Sequence, residues 1–201
     1  MGGAYDLSPE MIQARLARSP AKQLVELGLN AGLSSPRCAA VLVPLVRENG
    51  SWSVLLTART DLVEDHKGQV SFPGGACEKD DSGLEATALR ETSEEIGLPA
   101  GSARVLGCMA EYQTISNYLV TPVVAEVDWP FQLKLETREV RRAFTVPLEF
   151  LARPGHHTER LTTIRGQEVM LVYFEPWEGE VLWGISGRIM LDLLMQLGLI
   201  E

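Results

Sequence analysis

Gly74 to Leu98 reads GGACEKDDSGLEATALRETSEEIGL, and its second half carries the signals of one helix. Asp81 or Ser82 can cap the start, Gly97 can take the left-handed position after the last turn, and Pro99 blocks continuation. At helical spacing Ala86, Leu89 and Ile96, with Ser93 among them, share a side expected to face the core. Glu91, Glu94 and Glu95 fall together on the other side, at i, i+3 and i+4. Thr87 and Ala88, earlier on that face, are small and leave room beside the acids.

The acids are placed badly for stability. Like charges at these spacings repel by roughly 0.2–0.5 kcal/mol per pair. In the last turn, where Glu94 and Glu95 lie, the helix dipole favours cations by about 0.3–1 kcal/mol per charge. Arg90 can pair with Glu94 and offsets part of this. Three carboxylates set against both effects make sense around a hard divalent cation. An ordinary solvated acidic face is the competing reading of the helix alone.

The flanks weigh against that alternative. Phe72-Pro73-Gly74-Gly75 feeds an apolar residue and a tight, carbonyl-exposing turn into the helix. The unit resembles the Nudix box, a loop–helix–loop whose metal-binding core is matched by Arg90, Glu91, Thr92, Ser93, Glu94, Glu95, Ile96, Gly97 and Leu98. The resemblance has two departures. The common pattern places a Glu eight residues before the Arg, where this chain has Ser82, and the glycine pair stands one residue further from Arg90. Asp81 is the nearest acid to the vacant position.

At 201 residues the chain has room for one domain with a sizeable core. We read it as an N-terminal helical extension over 1–36 and a Nudix domain over 37–201. A net charge of −9 argues against nucleic acid as a main partner, because polyanions bind through clustered Lys and Arg. A small anionic substrate remains compatible, bridged by divalent cations. No apolar run of membrane-spanning length and no basic-then-apolar leader is present, so neither a membrane nor export is expected. The three cysteines, Cys38, Cys77 and Cys108, have no metal-type spacing, and an odd count gives no complete disulfide framework. A reducing cytoplasm is the simplest setting.

Ser8 and Pro9 start a helix carrying Met11, Ile12 and Leu16, and a second short helix is expected through Leu24, Val25 and Leu27. Together they read as a lid or packing extension. Ala39–Val46 and Trp52–Thr57 read as a hairpin across Glu48-Asn49-Gly50. Ala103–Tyr112 and Tyr118–Val127 are two further strands, Pro122 marking a bulge or an edge. Phe144–Leu148 runs into a short helix, Thr162–Leu171 forms a hairpin, and Ser186–Leu199 is an amphipathic closing helix. The class is α+β, a mixed sheet between helices. The resemblance implies the same arrangement, a Nudix-type α/β/α sandwich.

Leu55-Leu56-Thr57-Ala58-Arg59-Thr60, then Gly68-Gln69-Val70-Ser71-Phe72-Pro73-Gly74-Gly75, resembles the signature of the coenzyme A diphosphatase subfamily, as does Thr121-Pro122-Val123-Val124. One place departs from it: Glu64 and Asp65 stand where that signature carries a base.

The resemblance implies Mg²⁺ or Mn²⁺ held by Glu91, Glu94 and Glu95, with the Gly74 carbonyl. Glu94 or Glu95 would act as base, and Arg90 would orient a glutamate. Arg59, Gln69 and Gly75 are candidate substrate contacts. Glu136 and Glu139 read first as surface acids and second as an extra metal ligand or base. His66, His156 and His157 read as loop and turn residues outside the chemistry, and Trp52 and Trp183 as core. The implied reaction is hydrolysis of a P–O–P linkage in a nucleoside diphosphate derivative, with coenzyme A or a derivative as leading substrate. ADP-ribose, a dinucleotide or a nucleotide sugar is the alternative. A catalytically inactive Nudix-fold binding module is the reading from a different class.

Overall fold

The computed structural model describes residues 7–18, 24–25, 35–60, 68–164 and 166–201. Around its centre run β2 (Arg37–Glu48) and β3 (Ser51–Arg59). They are joined by Asn49 and Gly50 at φ 51° and 83°, the left-handed pair that lets a two-residue turn follow the strands' twist. β2 lies parallel to β8 (Tyr118–Val127) over ten residues, Arg37 opposite Tyr118 through Val46 opposite Val127. Its other side is shared. Leu45–Glu48 pair with β3, and Ala39–Val41 pair with β5 (Gly74–Ala76). β3 peels away to pair with β4 (Val70–Ser71) and β9 (Val140–Pro147). β6 (Ala103–Cys108) and β7 (Glu111–Gln113) cover the far side of β8. β1 (Leu24–Val25) adds a parallel edge to β7.

The run Ala39–Val46 is apolar without alternation because both faces of β2 are covered. Ala40, Leu42 and Val46 turn to one core, shared with Ala88, Ile96 and Leu98 of the acidic helix region. Val43 and Leu45 turn to the other, shared with Ile12 and Leu16 of α1 (Pro9–Leu16) and with Ile189, Leu193 and Leu194 of the closing helix. Helix, sheet and helix therefore stack as three layers. Numbered in chain order, α2 is Leu84–Ile96, α3 is Leu148–Leu151 and α4 is Gly184–Gln196. A separate hairpin, β10 (His157–Ile164) with β11 (Gln167–Phe174), packs beside α4.

Several expectations require correction. Leu24–Val25 is a strand, not part of a second helix; Leu27 lies outside the described residues. The stretch Ala103–Tyr112 breaks into two strands around Met109 and Ala110. β8, with Pro122, is an interior strand, and the irregularity sits on β6 between Val105 and Gly107. Cys38 and Cys77 are joined by a disulfide. Their spacing of 39 hides the pairing in the sequence, but the β2–β5 register, with Ala39 opposite Ala76, brings the next two residues face to face. Closing a loop of this size stabilises a fold by about 4 kcal/mol on chain-entropy grounds. Ser8 does cap α1, its Oγ accepting from the Met11 N–H. The carbonyl of Leu7 takes the Trp52 indole N–H at 2.7 Å, tying α1 to the body. His156 packs edge-on against Phe150 and His157 is tilted against Phe174, so neither is freely solvated.

Candidate active site

α2 ends as its sequence requires. Gly97 takes φ 75° and ψ 34° and returns its N–H to the Ser93 carbonyl. The start differs from expectation. The residue before the first turn is Gly83, and no side chain caps it. Asp81 is engaged elsewhere, accepting from Arg90 Nε at 2.9 Å, Arg90 Nη2 at 3.1 Å, Thr87 Oγ1 at 2.8 Å and the Glu78 N–H at 2.9 Å. The Arg90 hydrogen bonds hold its carboxyl far below the usual carboxylate range. Asp81 thus stands as the acid that anchors Arg90.

The buried face of α2 is also rotated from the apolar stripe. Thr87, Ala88, Thr92, Glu95 and Ile96 are buried, while Ser93 is exposed. The cause is that β5 and the segment before β9 cover the flank of the helix as well as its base. Lys134 and Glu136 donate their N–H groups to the carbonyls of Ile96 and Glu95 at 3.0 and 2.9 Å. Thr87 and Ala88 therefore fill space within the fold and leave none beside the acids.

Arg90 is a hub. Its Nη1 lies 3.0 Å from Glu91 Oε1 and 3.2 Å from Glu94 Oε2, and its Nη2 donates to the Ala76 carbonyl at 3.1 Å. The expected pairing with Glu94 is present, and Glu91 shares it. Glu95 is 7% exposed. Burial pushes its carboxyl up to about 8, against the nearby Arg59 charge and a 3.4 Å hydrogen bond from the Gly74 N–H. Burial raises Glu91 as well, with Arg90 opposing.

Glu91, Glu94 and Glu95 line a cleft of about 300 Å³ whose other wall is Glu136, Arg138 and Glu139. The sequence left Glu136 and Glu139 first as surface acids; only the docking of their segment onto α2 brings them here. Arg59 stands at the edge, its Nη2 3.8 Å from Glu139 Oε2. Gln69 is its backbone neighbour, the Gln69 carbonyl accepting the Arg59 N–H at 3.0 Å, and does not line the cleft. Glu64, Asp65 and His66 lie outside the described residues.

Gly74 and Gly75 are fitted to this arrangement. A Cβ on Gly74 would stand 2.4 Å from the Ala40 carbonyl, and one on Gly75 would stand 2.5 Å from the Glu91 carboxylate. Gly75→Ala is therefore expected to leave the fold intact, because the carboxylate is the movable end of a side chain, but to push Glu91 out of place. Mn²⁺ titration followed by electron paramagnetic resonance should show weakened binding with little change in melting temperature; unchanged binding would mean that Glu91 is not a ligand.

The donor set fits a hard divalent cation. Every candidate ligand is an oxygen, and two carboxyls are held above their ordinary range by burial, a cost that a nearby cation removes. Among the described residues no three acidic, histidine or cysteine side chains are already gathered into a ligand set. Glu91 and Glu94 are turned onto Arg90 instead.

A family model described as the NUDIX domain matches residues 36–165. The chain belongs to the Nudix family. It is a Nudix hydrolase, and members of this family generally cleave pyrophosphate linkages in nucleoside diphosphate derivatives with divalent metal ions such as Mg²⁺ or Mn²⁺. It is similar to an uncharacterized Nudix hydrolase NudL of Citrobacter koseri, 34% identical over 88% of this chain and 91% of the relative. A NudL of Photorhabdus laumondii is 37% identical over 80% of this chain and 84% of that one. Among solved structures, a MutT/nudix family protein from Enterococcus faecalis covers 85% of this Nudix hydrolase and 65% of its own chain, with a TM-score of 0.55 at 17% identity. A MutT Nudix hydrolase from Burkholderia pseudomallei covers 80% and 99%, with a TM-score of 0.50 at 16% identity. These likenesses establish the fold. No helix among the described residues is long and apolar enough to cross a membrane.

Proposed function

We propose that this Nudix hydrolase cleaves the diphosphate of coenzyme A or a coenzyme A derivative at the cleft between α2 and the segment before β9. The observation that carries the diphosphatase reading is the cleft itself, with five carboxylates and one arginine around one opening. Such a surface repels a phosphate unless divalent cations stand between, and it has no other evident use. The choice of coenzyme A rests on Leu55-Leu56-Thr57 and on Gly68 through Gly75. ADP-ribose, dinucleotides and nucleotide sugars form the second reading.

Glu91, Glu94, Glu95 and the Gly74 carbonyl would hold Mg²⁺ or Mn²⁺, which supplies charge neutralisation for the diphosphate and a lowered pKa for the attacking water. Arg90, anchored by Asp81, orients Glu91 and Glu94. Glu94 or Glu95 takes the proton of the water. Arg59 at the cleft's edge, Gln69 beside it and Gly75 against Glu91 position the anionic substrate, and Glu136 and Glu139 extend the ligand set from the far wall. Residues 1–36 are assigned as an N-terminal extension, of which α1 packs against the core and β1 against β7, away from this chemistry. The cytoplasm is the proposed compartment.

Incubation with Mg²⁺ and a panel of coenzyme A, ADP-ribose, NADH and nucleotide sugars in ¹⁸O-water tests the reading by mass spectrometry. One phosphate product is expected to carry the label; release of orthophosphate from phosphomonoesters as the main reaction would remove it. Glu64 and Asp65 add a sharper expectation. Acids in a normally basic place disfavour the 3′-phosphate, by about 4 kcal/mol for unit charges 4 Å apart near a surface and by roughly a few tenths at larger, screened distances, which still biases the choice. Dephospho-coenzyme A is therefore expected to match or exceed coenzyme A in kcat/KM. Glu64→Arg should improve coenzyme A selectively, most at low salt. A wild type that strongly prefers coenzyme A, with Glu64→Arg leaving the ratio unchanged, would show that this position does not read the phosphate.

A further inference from the structure

We infer that Cys38 and Cys77 form a redox switch for the acid-lined cleft, holding it in working geometry when the sulfurs are bonded and releasing it when they are reduced. The inference rests on the diphosphatase reading. Its basis is the strip of five residues from Gly74 to Glu78, in which every residue but Cys77 touches the cleft's machinery. The Gly74 N–H reaches Glu95 Oε2, the Gly75 Cα leaves room only for the Glu91 carboxylate, the Ala76 carbonyl receives Arg90 Nη2, and the Glu78 N–H reaches Asp81. Little holds this strip to the sheet. Among the described residues β5 is three residues long and pairs with β2 alone, extended at its start by the Leu42 N–H on the Pro73 carbonyl. The Cys77 N–H then donates to the Cys38 carbonyl at 3.0 Å, and the disulfide closes that end. Cutting the covalent tie leaves a short strand end to fray, and the residues that fray are those in contact with Arg90 and Asp81.

Access fits the role. Cys38 is exposed and Cys77 is half-exposed, so a dithiol reductant reaches the pair from solvent. A thiolate of the reductant attacks Cys38 Sγ, forming a mixed disulfide and expelling Cys77 as thiolate. The reductant's second thiol displaces Cys38 and leaves as its own disulfide; its two protons end on the two cysteines and two electrons pass to the protein. Oxidation reverses the balance. Cys108, half-buried and free, stands apart from the exchange.

The test poises the full chain in oxidising buffer and in dithiothreitol, counts thiols by alkylation and mass, and reads Mn²⁺ binding and diphosphate hydrolysis on the same samples. The bonded form is expected to bind Mn²⁺ and turn over at least about 5-fold better, the lower end of ordinary coupling between sites. Cys77→Ser should stay in the low state regardless of reductant, and Cys108→Ser should respond like wild type. Reduced wild type supplies the same comparison if Cys77→Ser fails to fold. Equal Mn²⁺ affinity and equal turnover in the two forms, with only the melting temperature lowered by reduction, would overturn the switch and leave a structural staple. Absence of the bond under oxidising conditions would overturn it too. Mn²⁺ affinity that follows the redox state without hydrolysis of any diphosphate would keep the switch and sink the diphosphatase reading.

Discussion

Glu95→Gln is expected to lower turnover by about 10²–10⁴-fold if Glu95 is the base, and at the same time to raise the melting temperature of the metal-free protein. The two effects have one origin. Glu95 is a carboxyl confined at 7% exposure, and burial, aided by the neighbouring Glu139 and Glu91 and opposed by Arg59 and the Gly74 N–H, pushes it up to about 8. An ionised group there is unfavourable without a cation, and a neutral amide of the same shape avoids the penalty. A residue selected for packing would lose stability when changed; one retained for chemistry gains it. Steady-state kinetics and thermal melts in chelator separate the cases. Full activity in both Glu95→Gln and Glu94→Gln would remove the site assignment.

The second large effect is on pH. Glu95 has a native pKa near 8 against an ordinary 4.5, so between these values the native state holds more protons than the unfolded chain. The contribution of this group to stability is present in full below about pH 4.5 and is lost as pH rises through 8. At 1.36 kcal/mol per pH unit the swing is at most about 5 kcal/mol, or roughly 10–20 °C in a domain of this size. Glu91 is raised too and adds in the same direction. Asp81 is depressed, so its contribution is lost only in acid and leaves this window untouched. The metal-free protein should therefore melt lower at pH 8.5 than at pH 5.5. Added Mg²⁺ should raise the melting temperature more at the higher pH, because its ligands are then deprotonated and it binds the native state alone. Glu95→Gln should flatten the pH dependence. Equal melting temperatures with and without Mg²⁺ at pH 8.5 would exclude the acids as its ligands.

What the sequence made legible was local. Ser8-Pro9 starts a helix and Gly97-Pro99 stops one, because caps and left-handed turns depend on a few neighbouring residues. Asn49-Gly50 fixed the hairpin for the same reason. What stayed hidden was set by contacts between distant segments. The pairing of Cys38 with Cys77 follows from a strand register. Asp81 reads as a cap and is taken by Arg90 nine residues on. Thr87 and Ala88 looked like the floor of a site, but β5 and the segment before β9 cover that flank. Glu136 and Glu139 carry no periodic or motif signal and enter the cleft through two backbone hydrogen bonds to the end of α2. The alternation of Trp129, Phe131, Leu133 and Leu135 marks an extended segment buried on one face, but not the helix end it docks on.

Those two hydrogen bonds make the two walls of the cleft a single calliper. Its pivot is Gly97, where a Cβ would strike the Lys134 Cβ at 2.8 Å. The missing side chain lets the second jaw close onto the helix end, and the carbonyls freed by the left-handed turn grip it there. Both walls are therefore fixed to one helix end, and the spacing between them is set at a residue outside the cleft's lining.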